Sequence, residues 1–295
     1  MHVKTPTIQS TPLTRILGRP VWLKLENTQP TGSFKLRGIG AMCRYLVDRG
    51  ATRLVASSGG NAGYAAAWAG RQLGVPVTLV VPETTPEFMR ARIAAEGAEV
   101  IVHGSVWDEA HARALTIGGP EVMVHPFDHP AIWTGHASLV DEAAAELPDP
   151  PGAVVVAVGG GGLLCGVLEG MHAVGWESVP VVAVETFGAD CLNAALAAGG
   201  PVDIGAITSI AKTLGARTVA TEAYAWTQKH DVRSVRVQDE SAVSACDRFA
   251  EDHRFLVEVA CGSALSVVYD RAPALVECTG AVLVVVCGGA GVQRL

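Results

Sequence analysis

Residues 153–170 read AVVVAVGGGGLLCGVLEG: a Val-rich run from Ala153 to Val158, four consecutive glycines Gly159–Gly162, and a helix-period segment that opens at Leu163. The first run is short, apolar and β-branched, as suits a strand covered on both faces. Four glycines in succession carry a large conformational-entropy cost, so close approach of the backbone to a partner explains them better than a simple turn. A strand, a glycine loop and a helix in that order bring free backbone N–H groups to a helix start, where phosphate is the natural guest. The dinucleotide pattern G-x-G-x-x-G fails because Leu164 stands where the third glycine is due, and there is no Walker lysine. Glu185 lies near the ribose-binding distance downstream, which leaves a nicotinamide as the weaker guest.

The same alternation extends outward in both directions. Strand-like runs fall at Val21–Leu25, Arg53–Ser58, Val77–Val81, Glu99–Val102, Glu121–Val124, Val181–Val184, Ser234–Val237 and Val282–Val286. Helical patterns fall at Ile39–Val47, Ala62–Leu73, Pro86–Glu96, Trp107–Leu115, Ile132–Leu147, Leu163–Ala173, Thr221–Lys229, Glu240–Asp252 and Gly262–Tyr269. Strands alternating with helices predict an α/β fold with mostly parallel sheets and a ligand cleft at the carboxyl ends of the strands. Leu147–Gly152, with its prolines, reads as a loop within that plan rather than a domain boundary.

Composition narrows the function classes. Of 295 residues, 49% are hydrophobic and 17% charged, enough apolar material for a sizeable core and too little charge for a disordered chain. The 22 Lys plus Arg against 29 Asp plus Glu give a formal charge of −7 with no basic cluster, so no nucleic-acid partner is expected. Seven widely spaced cysteines without a C-x-x-C pair read as reduced thiols, neither a disulfide frame nor a zinc site. The N-terminus lacks a signal-peptide h-region and no apolar run spans a bilayer, so a soluble, cytoplasmic protein without a membrane partner is expected.

Two further segments carry chemistry. Thr31–Gly38 (TGSFKLRG) sets Lys35 beside Phe34 near a helix start, where a cation opposes the helix dipole unless it is neutral or faces a ligand. One reading is an exposed lysine at a turn; the other is an amine made neutral by burial, ready to form a Schiff base. Ser57–Gly63 (SSGGNAG) follows a strand and opens an Ala-rich helix. It reads either as a tight turn with Asn61 as N-cap, or as an anion site for a carboxylate or phosphate.

Taken together and in this order, S-F-K-x-R-G, S-x-G-N-A and G-G-G-G-L resemble the fold type II pyridoxal-phosphate enzymes, most closely the serine/threonine dehydratases and their L-serine dehydratase branch. Supporting segments are Phe127–Val140, Val181–Ala189, Ser209–Gly215, Val257–Leu265 and Val284–Gly289. The resemblance runs from Thr11 to Gly289. It implies two lobes with the cofactor cleft between them: a large domain of 1–30 and 132–295, and a small domain of 31–131.

For individual residues the resemblance implies that Lys35 bears the pyridoxal phosphate and that Phe34 packs on one face of its ring. Gly159, Gly160, Gly161, Gly162 and Leu163 would hold the phosphate, and Asn61 the ring hydroxyl. Ser58, Gly59, Gly60, Asn61 and Ala62 would take the carboxylate of a small amino-acid substrate. Cys287 would face the pyridine nitrogen, leaving it neutral where an aspartate would keep it protonated. Glu185 would handle a proton near the phosphate and serve a monovalent-cation site, such as one for potassium. Two positions depart from the pattern: Cys191 stands where that site commonly has serine, and Thr213 replaces a common alanine on the ring face opposite Phe34.

The implied activity is elimination from L-serine to pyruvate and ammonia, and from L-threonine to 2-oxobutanoate. The alternatives are a β-replacement enzyme of the O-acetylserine sulfhydrylase or cystathionine synthase type, or a non-catalytic metabolite-binding protein on the same fold. A homodimer is expected. With no extension past Leu295, feedback through a separate regulatory domain is not. His125, His129 and His136 read as solvated or capping groups, and Trp68, Trp107 and Trp133 as core or interface residues, with no chemistry assigned to any of them.

Overall fold

A computed structural model describes residues 1–292. The described residues form two sheets. The larger contains β1 (Thr7–Gln9), β2 (Val21–Lys24), β7 (Ala153–Ala157), β8 (Val181–Thr186), β9 (Val232–Val237) and β10 (Val282–Val285), in the order β1-β2-β10-β7-β8-β9. The smaller contains β3 (Leu54–Ala56), β4 (Val77–Val81), β5 (Glu99–Val102) and β6 (Met123–Val124), in the order β5-β4-β3-β6. Every pairing is parallel except β1 with β2. The inner strands are apolar along their whole length because both faces are covered; β7, β8 and β10 are buried at every residue.

The helices are α1 (Thr11–Leu17), α2 (Lys35–Asp48), α3 (Asn61–Leu73), α4 (Glu87–Ala95), α5 (Trp107–Gly118), α6 (Pro130–Glu146), α7 (Gly162–Ala173), α8 (Cys191–Ala198), α9 (Thr221–Thr227), α10 (Asp239–His253), α11 (Val259–Tyr269) and α12 (Pro273–Val276). Around the large sheet the main core gathers α7 and α11; around the small sheet a second core gathers α2 and α3. Helix α6 packs on both α2 and α7. Gly135 permits the α2 contact, since a Cβ there would lie 2.6 Å from the Arg37 carbonyl oxygen.

Elements of the expected pattern recur with shifted ends, and four short ones are new: β1, α1, α8 and α12. Helix α2 starts at Lys35 rather than Ile39, which puts the lysine itself in the first turn. Residues 147–152 form a loop, as expected.

Two residues beyond Lys35, a buried ionic cluster ties α2 to the large sheet. The Arg37 guanidinium, fully buried, donates to both oxygens of Glu26 at 2.7 and 2.8 Å and to both oxygens of Glu142 on α6 at 2.8 and 2.6 Å. Lys24 on β2, also fully buried, donates to Glu142 and to the Thr5 carbonyl, each at 2.7 Å. Burial alone would raise the Glu142 carboxyl, but Arg37 and Lys24 pull it down to about 2. Two positive and two negative charges thus leave the cluster neutral inside the protein.

Candidate active site

The turn that carries Lys35 is sewn to the end of β10. Phe34 N donates to the Cys287 carbonyl at 3.1 Å, and Ser33 bridges Gly288 in antiparallel fashion. Lys35 is half-buried, and its amine donates to the Pro126 carbonyl at 2.7 Å. Burial brings its pKa from 10.5 down to about 8, while the nearby Cys287 pulls weakly the other way. Lys35 is therefore not the exposed lysine at a turn that the first of the two sequence readings describes. The Phe34 ring lies 5.3 Å from that nitrogen and 5.0 Å from the His136 ring.

Across the cleft, β7 runs into the glycine loop and α7. Gly161 has φ +92°, and a Cβ on Gly160 would meet the Phe127 ring at 2.5 Å, so this loop lies too close to its neighbour for any side chain. The first N–H groups of α7 have no acceptor inside the helix, which leaves an anion cradle with positive dipole character. A phosphate group fits it.

Asn61 opens α3; the N-cap position itself is Gly60, so the capping reading of Asn61 shifts by one residue. Its Oδ1 accepts from Ala290 N at 2.7 Å and its Nδ2 donates to Glu258 at 3.0 Å. Ser58, Gly59 and Gly60 lie half-buried before it, with Ala62 buried just behind. A Cβ on Gly59 would lie 2.4 Å from the Thr85 hydroxyl, so that segment of the loop is pressed against Thr85.

Cys287 ends the β10 run, fully enclosed; the neighbouring Cys261 thiol and burial hold it well above the ordinary thiol range, as a neutral donor. Glu185 sits at the end of β8, fully buried, accepting 2.8 Å hydrogen bonds from Leu192 N and Asn193 N at the start of α8. Burial pushes its carboxyl up to about 7 despite those donors. Cys191 donates to the Gly159 carbonyl at 3.4 Å, linking the start of α8 to the glycine loop.

Sequence reasoning missed three participants. The Pro126 carbonyl is a backbone atom and leaves no side-chain signal. His136 is neither solvated nor a cap: it is fully buried behind Phe34, and neither ring nitrogen has a partner among the described residues. Glu258 was visible only as a letter within VEVACG. His125 and His129 do cap, each accepting through Nδ1 from main-chain N–H groups that follow it.

Comparison with known proteins adds a family to this geometry. Residues 1–288 match the family described as "Pyridoxal-phosphate dependent enzyme". The human protein named "Serine dehydratase-like" is 50% identical over 297 residues, covering 98% of this chain and 90% of its own. Human "L-serine dehydratase/L-threonine deaminase" is 47% identical over 303 residues, covering 99% and 92%. The crystal structure of a fungal L-serine ammonia-lyase from Rhizomucor miehei superposes with a TM-score of 0.93 at 36% identity, covering 99% of this chain and 95% of that one.

Proposed function

Since the chain belongs to the pyridoxal-phosphate dependent enzymes, we propose that it is a lyase that converts L-serine to pyruvate and ammonia, and L-threonine to 2-oxobutanoate and ammonia. One observation carries the reading most directly: a half-buried amine of lowered pKa, Lys35, is tied through its own turn to a thiol held protonated, Cys287. A proton acceptor and a thiol that does not protonate the ring nitrogen suit elimination better than chemistry needing a deep electron sink.

When bound, pyridoxal phosphate supplies the sink that makes the substrate Cα–H acidic. The amides of Gly159–Leu163 and the start of α7 hold its phosphate, Asn61 its ring hydroxyl, Cys287 its ring nitrogen, and Phe34 covers one face. Lys35 would be the attachment point, and its amine would take the substrate Cα proton at Nζ; the Pro126 carbonyl accepts from that nitrogen and holds it in place. The loop from Ser58 to Ala62 binds the substrate carboxylate with main-chain N–H groups. Glu185, half-protonated near neutral pH, holds a proton behind the glycine loop for the departing hydroxyl.

Three finer parts belong to the same proposal. The chain divides into a small domain, 31–131, and a large one, 1–30 with 132–295; the two separate sheets support this. The protein works as a cytoplasmic homodimer. A monovalent cation is assigned beside Glu185, although the Cys191 sulfur at that position suits such an ion poorly.

The test is oxo-acid release from L-serine and L-threonine by the cofactor-replete protein without any added nucleophile. Release supports the lyase. Turnover that appears only with O-acetylserine and sulfide overturns it in favour of β-replacement.

A further inference from the structure

Glu258 is a carboxylate in the cleft that the proposed chemistry leaves unused. It stands at the residue before α11, where its backbone carbonyl accepts from the Cys246 thiol at 3.3 Å. Its side chain points the other way, into the cleft. One oxygen, Oε2, accepts from Asn61 Nδ2 at 3.0 Å and from the Thr213 hydroxyl at 2.9 Å. The other oxygen accepts from Gly291 N. The loop around it has no room for side chains, since a Cβ on Gly289 would fall 2.1 Å from the Glu258 carboxyl carbon.

The donors and acceptors here admit one arrangement. Ala290 N can only donate, so it takes the Asn61 oxygen; a carboxylate can only accept, so it takes the Asn61 NH2 group. The amide is thereby fixed in orientation, with one of its two N–H bonds spent on Glu258 and one left over. The same oxygen anchors Thr213, and the same carboxylate anchors the loop that follows β10.

We propose that Glu258 is a positioning residue for Asn61 and Thr213: it aims the remaining Asn61 N–H at the cofactor's ring hydroxyl and sets Thr213 against the ring. The inference rests on the reading of this cleft as a pyridoxal-phosphate site and goes beyond it by assigning the residue that orients the ring. Glu258 touches no reacting atom, so its loss acts through Asn61 and the cofactor.

The experiment uses the full chain, freed of cofactor and titrated with pyridoxal phosphate. Wild type, Glu258→Ala, Glu258→Gln, Asn61→Ala and Glu258→Ala with Asn61→Ala are compared by binding affinity, by the visible absorption band of the Lys35-bound cofactor, and by kcat and KM for serine. Charge-assisted hydrogen bonds of this kind lead us to expect affinity about tenfold weaker in Glu258→Ala, with a shifted band and a fall in kcat larger than the change in KM. Adding Asn61→Ala to that variant should cost little more, because both substitutions remove one interaction. If Glu258→Ala does not fold, Glu258→Gln serves, with one oxygen left for Asn61 and Thr213 but an NH2 turned toward Gly291 N, and an intermediate loss of affinity. Affinity within twofold of wild type with an unchanged band overturns the proposal, as does a double variant whose losses simply multiply. Wild type that binds no pyridoxal phosphate would instead sink the functional reading beneath it.

Discussion

Two groups of buried charges lie within a few residues of each other and are treated in opposite ways. In the cluster of Lys24, Glu26, Arg37 and Glu142, each charged group meets a partner of opposite sign at 2.6–2.8 Å. In the cleft, Lys35 has a carbonyl for a partner, Glu185 two amides, and His136 none among the described residues. In the first group the ion pairs raise Arg37 and pull Glu142 down to about 2, although burial still lowers Lys24. The second is pushed toward neutrality, Lys35 to about 8 and Glu185 to about 7. Charges that meet opposite charges build a frame, whereas Lys35 and Glu185, which have only dipoles for partners, are shifted toward neutral pH.

If that division holds, Lys35→Ala is expected to lower kcat by at least about a thousandfold while the melting temperature moves little, because the loss falls on proton transfer and cofactor attachment. Retention of wild-type turnover would break the contrast on the cleft side. Arg37→Met tests the other side. It leaves Glu26 and Glu142 buried beside each other with Lys24 as their remaining cation, and a cost of about 3–5 kcal/mol in urea unfolding is expected.

Glu185→Gln sharpens the comparison through pH. A carboxyl raised in the folded state contributes stability that is complete below its unfolded value of 4.5 and is lost as pH rises through about 7. Wild type should therefore lose up to about 3 kcal/mol across that window, and the glutamine variant should give a flatter profile in parallel melts. The smallest effect is assigned to potassium. With a sulfur at Cys191, where a hydroxyl would suit a cation better, replacing choline by potassium should change the rate less than about twofold, and Cys191→Ser should enlarge the response.

Much of this contrast was legible before any coordinates, but unevenly. Glycine loops announce themselves, because four glycines or S-S-G-G-N-A have few purposes, and the Val-rich strands are unambiguous when both faces are covered. Lys35 was found by its odd place at a helix start, although the helix begins four residues earlier than its apolar period shows; Lys35, Arg37 and Gly38 are not an apolar stripe. The ionic cluster was invisible. Arg37 and Glu142 are 105 positions apart, and nothing in either neighbourhood distinguishes a buried charge from a solvated one. Glu258 was hidden for the same reason: its partners Asn61, Thr213 and Gly291 come from three distant segments. His136 misled because its burial depends on Phe34 and α7, which periodicity along α6 does not report.

The position of β10 has a consequence for the order in which the protein is made. The last strand among the described residues lies in the middle of the large sheet, between β2 and β7, and its end is joined to the Lys35 turn. A chain emerging from the ribosome can form β7, β8 and β9 side by side, yet β2 has no route to them until Val282–Val285 arrives. The small sheet, by contrast, is complete once residue 124 has emerged. The cleft at the end of β10 therefore cannot close before residue 285 has emerged, and until then a nascent chain carries Lys35 without the pocket that surrounds it.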